Sequence, residues 1–249
     1  MNKKLATVIM AAGKGKRMRN PDKSKVMYEL KGKPIIQYVI ELSEKINSEL
    51  IVPIVGHQKQ SVMDFIRDKF PGSTDIIKFA NQDEQLGTGH AIMQTEQILN
   101  SFIGDVLILS GDVPMLKYGT VQSFIDFHYN NNFDASLISA VFKDPSGYGR
   151  VLRDNEGNFY DIREEKDCSE DEKKCSEINS GIYIIDKEIL FEALKTLKTD
   201  NAQGEYYLTD VFKYFKSSGK NIGAFPVSDA VEISGINTVE QLEELEKSF

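Results

Sequence analysis

Short apolar runs alternate along this chain with stretches whose apolar positions recur every three or four residues. Leu5–Met10 reads as a strand and Pro34–Lys45 as a helix with proline in its first turn. Leu50–Val55 is a second strand, Gln58–Lys69 a helix, Ile76–Phe79 a short strand and Gly87–Asn100 a helix. Asp105–Ser110 is the most apolar strand; a turn at Gly111–Pro114, a helix near Thr120–Asn130 and a strand at Ala135–Val141 follow. This β-α alternation predicts an α/β fold with a doubly wound, mostly parallel sheet.

Beyond Val141 the pattern changes to a small β-rich part. Gly149–Arg153 and Phe159–Arg163 flank Asp154–Asn158 as a hairpin with a longer turn. Glu164–Glu177 is charged and reads as an exposed loop with room for a partial helix. Ile178–Ile185 and Ile222–Val227 are strands, and Lys187–Leu197, Glu205–Lys216 and Thr238–Lys247 helices. Thr238 with Gln241 three residues on forms a capping-box pattern, and Glu240 suits the positive end of that helix. No repeat, low-complexity tract or linker divides the chain, so residues 1–249 are expected to form a single domain.

Charge changes the picture at one place. The net charge is −8, which argues against non-specific binding to nucleic acid or an anionic membrane. Yet Lys14, Lys16, Arg17, Arg19, Lys23 and Lys25 cluster directly after the first strand, opposed only by Asp22. A basic cluster in an acidic protein points to local handling of a small anion. The first apolar run is too short for a signal peptide or membrane span. Cys168 and Cys175 match no zinc or redox motif, so a reduced, cytoplasmic protein is the expectation, with a disulfide across the acidic loop as the alternative.

Three loops at predicted strand ends carry candidate chemistry. Ala11-Ala12-Gly13-Lys14-Gly15 can aim backbone N–H groups at phosphates, although it completes neither the dinucleotide fingerprint, where Met18 replaces the third glycine, nor the P-loop. Gln82-Asp-Glu-Gln-Leu-Gly-Thr-Gly-His90 allows close approach by a flat ligand, and the Gln82 amide can donate and accept at a uracil edge. Ser110-Gly-Asp-Val-Pro114 places Asp112 to hold Mg²⁺, or simply to cap the next turn. His57, His90 and His128 show no metal spacing, and no serine stands in a nucleophile elbow.

Together these strings resemble the sugar-nucleotide pyrophosphorylases. Glu84–Ala91, Gly111–Pro114, Gly147-Tyr-Gly-Arg150, Glu177–Gly181 and Asn201–Asp210 narrow the resemblance to the N-acetylglucosamine-1-phosphate uridylyltransferase half of GlmU-type bifunctional enzymes. The resemblance covers nearly the whole chain. It implies a Rossmann-like nucleotidyltransferase fold, UTP and a sugar-1-phosphate as substrates, and Mg²⁺ as cofactor. By that likeness Ala11, Ala12 and Gly13 contact the nucleotide through backbone, and Gln82, Gly87 and Thr88 read uracil. Arg17 grips the outgoing pyrophosphate, Lys25 neutralises the α-phosphate, and Asp112 with Asn237 holds the metal. Gly111, Gly149, Glu164 and Asn179 fall to the sugar.

Two departures stand out. Lys16 occupies a position where the family usually has threonine. Hexapeptide repeats are absent from the sequence, so the left-handed β-helix acetyltransferase half, and its acetyl transfer, are expected to be missing. Two other readings remain at this stage: the same reaction on a different sugar or base, and a catalytically silent nucleotide-sugar sensor.

Overall fold

The computed structural model describes residues 4–15, 17, 18, 20 and 22–248. The chain begins with β1 (Leu5–Met10), a two-residue hairpin of β2 (Glu29–Leu30) and β3 (Lys33–Pro34), and α1 (Ile35–Lys45). Next come β4 (Leu50–Val55), α2 (Lys59–Lys69), β5 (Ala80–Asn81), α3 (Thr88–Met93), α4 (Glu96–Leu99), β6 (Asp105–Ser110), α5 (Tyr118–Asn130) and β7 (Ala135–Val141). The second part holds β8 (Arg150–Arg153), β9 (Phe159–Arg163), β10 (Glu177–Asp186), α6 (Lys187–Leu194), α7 (Val211–Ser217), β11 (Ile222–Pro226) and α8 (Val239–Ser248).

The main sheet runs β11-β7-β10-β6-β1-β4-β5, with the β8–β9 hairpin attached to β10. β1 pairs in parallel with both β4 and β6, and β11 with β7. Only β10 runs against its neighbours β6 and β7 along this path. From β1 the chain winds outward to β4 and β5, then returns to β6 on the other side. The ends of β1 and β6 therefore border a topological switch point, where loops part to opposite faces and leave a crevice.

Alternation along the strands explains why both faces are covered. Leu5 and Ile9 of β1, with Leu107 and Leu109 of β6, pack with α1, α2 and α5 on one side. Ala6 and Val8, with Val106 and Ile108, pack with α3, α6 and α7 on the other. A small third cluster of Leu30, Ile35, Ile236 and Leu242 seats α8 against the β2–β3 hairpin and the start of α1.

Several expected elements are adjusted by hydrogen bonds that periodicity does not show. The helix expected over Gly87–Asn100 breaks into α3 and α4, because the Thr95 hydroxyl and N–H both turn back to the Ile92 carbonyl (2.7 and 2.9 Å). The strand expected at Ile76–Phe79 lies later, at β5, and Ile77 makes only a single bridge to Ile51. The helix expected from Glu205 begins at Leu208, because Tyr207 is extended and Tyr206 exchanges backbone bonds with Leu86 and Gly89. The charged loop holds two 3₁₀ turns, Glu165–Asp167 and Glu172–Lys174. The capping box is present: Gln241 N–H donates to Thr238 Oγ1 (3.2 Å), and Thr238 N–H to Gln241 Oε1 (3.1 Å). Among the described residues no helix is long and apolar enough to cross a membrane.

Candidate active site

A cleft of about 340 Å³ opens over the carboxyl ends of β1 and β6. Ala11, Ala12, Gly13, Lys25, Gln82, Gly87, Thr88 and Asp112 all line it. Residues far apart in sequence thus meet where the sheet topology leaves room for a ligand.

The floor is the turn after β1. Ala11 N–H donates to Ile54 O (3.0 Å), and the Ala12 carbonyl accepts from His57 N–H (3.3 Å) and Gln85 Nε2 (2.7 Å). The peptides of the turn are therefore held by the neighbouring strand ends. At Gly13 a side chain would meet nothing within 4 Å, so its backbone is open to a ligand. Gly15 adopts φ +57°, and a Cβ there would lie 2.8 Å from Lys25 Cβ. This glycine lets the chain near Lys25 pass close behind the turn. Arg17 is exposed beyond it; Lys16 and Arg19 lie outside the described residues.

One wall is the loop into α3. Gly87, at φ +112°, packs so tightly that a Cβ would sit 2.6 Å from Tyr206 O. Tyr206 N–H donates to Leu86 O, Gly89 N–H donates to Tyr206 O, and Leu208 N–H donates to Thr88 Oγ1 (3.0 Å). Gln82 is buried, and its Nε2 donates to Gly87 O (3.0 Å) with His90 Nδ1 at 3.3 Å. The structure therefore spends the Gln82 donor inside the loop and leaves Oε1 as its acceptor. That narrows the expectation of simultaneous donation and acceptance at a base.

The opposite wall carries charge. Lys25 Nζ donates to Asp112 Oδ2 and to Asn237 Oδ1 (3.1 Å), while Ser110 Oγ donates to Asp112 Oδ1 (2.7 Å). The Lys25 and Asp112 side chains are 15% and 14% exposed, a partly buried pair on the cleft. Asn237 reaches it because Gln241 Oε1 accepts its N–H (2.7 Å) just ahead of α8, and Ile236 N–H donates to Asp112 O (2.9 Å). Among the described residues no group of three or more His, Cys, Asp or Glu gathers as a metal cage. Two convergent oxygens, one a carboxylate, still fit a small hard cation that takes its remaining ligands from phosphates and water.

The residues expected at the sugar form a second group beside the cleft. Asn179 N–H donates to Gly149 O (2.8 Å), and a side chain at Gly149 would begin 3.6 Å from Glu164 Oε2. Glu164 Oε1 accepts from Thr209 Oγ1 (2.9 Å), and Asn179 Nδ2 from the buried strand β10 donates to the Tyr183 hydroxyl (2.6 Å). Burial holds the Glu164 carboxyl above its ordinary range against the Thr209 hydrogen bond, with Asp210, Asp167 and Glu205 adding to the rise. Glu205 lines the cleft, which joins the two groups. Gly111 stands apart: it is buried, its N–H donates to Met10 O (3.0 Å), and a Cβ would press on Met10 O and Ala11.

Four residues join the site without having been singled out by sequence. Gln85, Glu205 and Thr209 are described above. Tyr148 is the fourth: burial raises its hydroxyl, the Gly235 backbone N–H opposes that rise, and the charges of Asp112 and Arg17 also act on it. Each lies within a string that the sequence already marked: Gln85 in Gln82–His90, Tyr148 between Gly147 and Gly149, and Glu205 and Thr209 in Asn201–Asp210. Arg150, itself buried, braces this loop by donating to Pro145 O (2.9 Å) and Tyr148 O.

Residues 6–231 match the nucleotidyl transferase family. The chain is 42% identical over 243 residues to the bifunctional protein GlmU of Caldanaerobacter subterraneus subsp. tengcongensis, and 42% identical over 241 residues to that of Geotalea daltonii. These alignments take in 98% and 97% of this chain and 51% of each relative, so it spans about half the length of the curated relatives it matches. A crystal structure of UDP-glucose pyrophosphorylase complexed with UDP-glucose shares the fold, with a TM-score of 0.78 over 98% of both chains at 19% identity.

Proposed function

This chain belongs to the nucleotidyl transferase family, and within it we propose that it transfers UMP from UTP to N-acetylglucosamine-1-phosphate, giving UDP-N-acetylglucosamine and pyrophosphate. The observation that carries this reading is the convergence on one cleft of the open Ala11–Gly13 turn, the Gln82–Thr88 loop and the Lys25/Asp112/Asn237 group. The GlmU relatives at 42% identity support the choice of sugar and base.

In this reaction an oxygen of the sugar phosphate bonds to the α-phosphorus of UTP. The bond from that phosphorus to the bridging oxygen breaks, and pyrophosphate leaves with the electron pair. The attacking phosphate is already ionised, so no general base is needed. The chain's task is alignment and positive charge. The Ala11–Gly13 backbone seats the phosphates, Gln82 Oε1 accepts from the base, and Lys25 faces the reacting phosphate. Arg17, exposed beyond the Ala11–Gly15 turn, takes the pyrophosphate. Glu164, Asn179 and the backbone of Gly149 orient the amino sugar. Asp112 and Asn237 would hold Mg²⁺, which when bound supplies charge stabilisation at the phosphate oxygens.

Pyrophosphate release with UTP, Mg²⁺ and a panel of sugar-1-phosphates tests the proposal, with Asp112→Ala as control. Release that depends on N-acetylglucosamine-1-phosphate and is lost in the variant is the expected result. Release with a different sugar moves the specificity, and none with any sugar favours the silent sensor.

A further inference from the structure

We propose that Lys25 is a placeholder for the divalent cation: its ammonium holds Asp112 and Asn237 in ligand geometry until a metal replaces it and frees the side chain into the nucleotide cleft. The inference rests on the metal-binding reading of Asp112 and Asn237 given above.

The two oxygens come from distant parts of the chain, the turn after β6 and the lead into α8, yet they converge on one ammonium. Each is separately aimed. Ser110 Oγ holds the other carboxylate oxygen of Asp112 (2.7 Å), and Asn237 Nδ2 donates to Gly235 O (3.2 Å), which leaves Oδ1 directed at Lys25. An ammonium and a hard divalent ion ask for the same donors, and two cations cannot share them. Occupancy is therefore exclusive.

The backbone under Lys25 is fixed while its side chain is not. Lys25 opens a 3₁₀ turn, its carbonyl accepts from Tyr28 N–H (3.3 Å), Val26 beside it is buried, and Gly15 packs against its Cβ. The flexible four-carbon stem can swing without moving the chain. Lys25 and Asp112 both line the cleft with Ala11–Gly13, so a released ammonium remains in the space the phosphates would fill. The exchange also matches charge to need. With Lys25 docked, Asp112 is neutralised; with a divalent ion in its place, the cleft gains that ion's charge as polyanionic substrate arrives.

The test uses Mn²⁺ without nucleotide, read from the free-ion EPR signal, on the full chain and its Lys25→Met and Asp112→Asn variants. Lys25→Met is expected to bind Mn²⁺ about tenfold more tightly than the parent, because a charge-assisted competitor has been removed. Asp112→Asn is expected to lose binding. Unchanged or weaker binding by Lys25→Met, with binding lost in Asp112→Asn, overturns the placeholder and leaves the metal site standing. Binding that survives in Asp112→Asn overturns the metal reading itself. A measurement on the parent protein guards against a poorly folding variant: Mg²⁺ alone should raise the acylation of Lys25 several-fold in a peptide map. Unchanged or reduced labelling overturns the proposal.

Discussion

Gly87→Ala tests how the α3 loop is built. The backbone at Gly87 lies at φ +112° and ψ 176°, a region only glycine occupies without strain; holding alanine there costs about 1–3 kcal/mol. The new methyl would also stand 2.6 Å from Tyr206 O and 2.9 Å from Glu205 Cβ and Tyr206 N. That backbone cannot easily retreat, since Tyr206 is bonded to both Leu86 and Gly89. Forced overpacking of this kind adds about 1–3 kcal/mol. A middle value of about 3–4 kcal/mol lowers Tm by roughly 6–16 °C for a chain of this size. Because Gly87 O also anchors Gln82, UTP affinity should fall as well. Thermal melting by circular dichroism and UTP titration calorimetry read the two effects. Gly13→Ala is the counterpart: its Cβ meets nothing within 4 Å, so Tm should hold while nucleotide affinity falls, as a methyl intrudes on the phosphate turn. A Gly87→Ala protein that melts within about 2 °C of the parent and binds UTP equally would refute the argument.

Three further outcomes are expected. Glu164→Gln should stabilise the protein at neutral and alkaline pH. The raised folded-state pKa makes ionisation costly once pH climbs above the ordinary carboxylate value of about 4.3, so the parent loses stability through that window while the variant does not. Melting curves from pH 3 to 8 check this, and a gap that widens toward acid would contradict it. Gln241→Ala removes the acceptor of both Asn237 N–H and Thr238 N–H, so a loss of about 1 kcal/mol is expected by denaturant melts. Weaker Mn²⁺ uptake should accompany it. Arg17→Ala, at an exposed position, should leave stability within about 0.5 kcal/mol and lower pyrophosphate release roughly 100-fold in steady-state assays.

Periodicity was enough to locate β1, β4, β6 and β7 to the residue, because a strand buried on both faces leaves an uninterrupted apolar run bounded by polar turns. The local motifs likewise marked most of the cleft residues, since a glycine-bearing turn and a lone carboxylate at strand ends stand out from the apolar runs before them. What periodicity left open was set by partners distant in sequence. The late start of the helix after Tyr206 arises from bonds that join Leu86 and Gly89 to this residue, over a hundred positions later. Glu205 becomes a cleft residue through the same pairing, Gln85 through its bond to Ala12 O, and Thr209 reaches Glu164 from the 3₁₀ turn Leu208–Asp210, 45 residues later. The docking of Lys25 between Asp112 and Asn237 depends on contacts spanning 87 and 212 residues. Local sequence specifies which side chains can do chemistry; only the folded sheet, by deciding which strand ends adjoin, brings their charges within reach of one another.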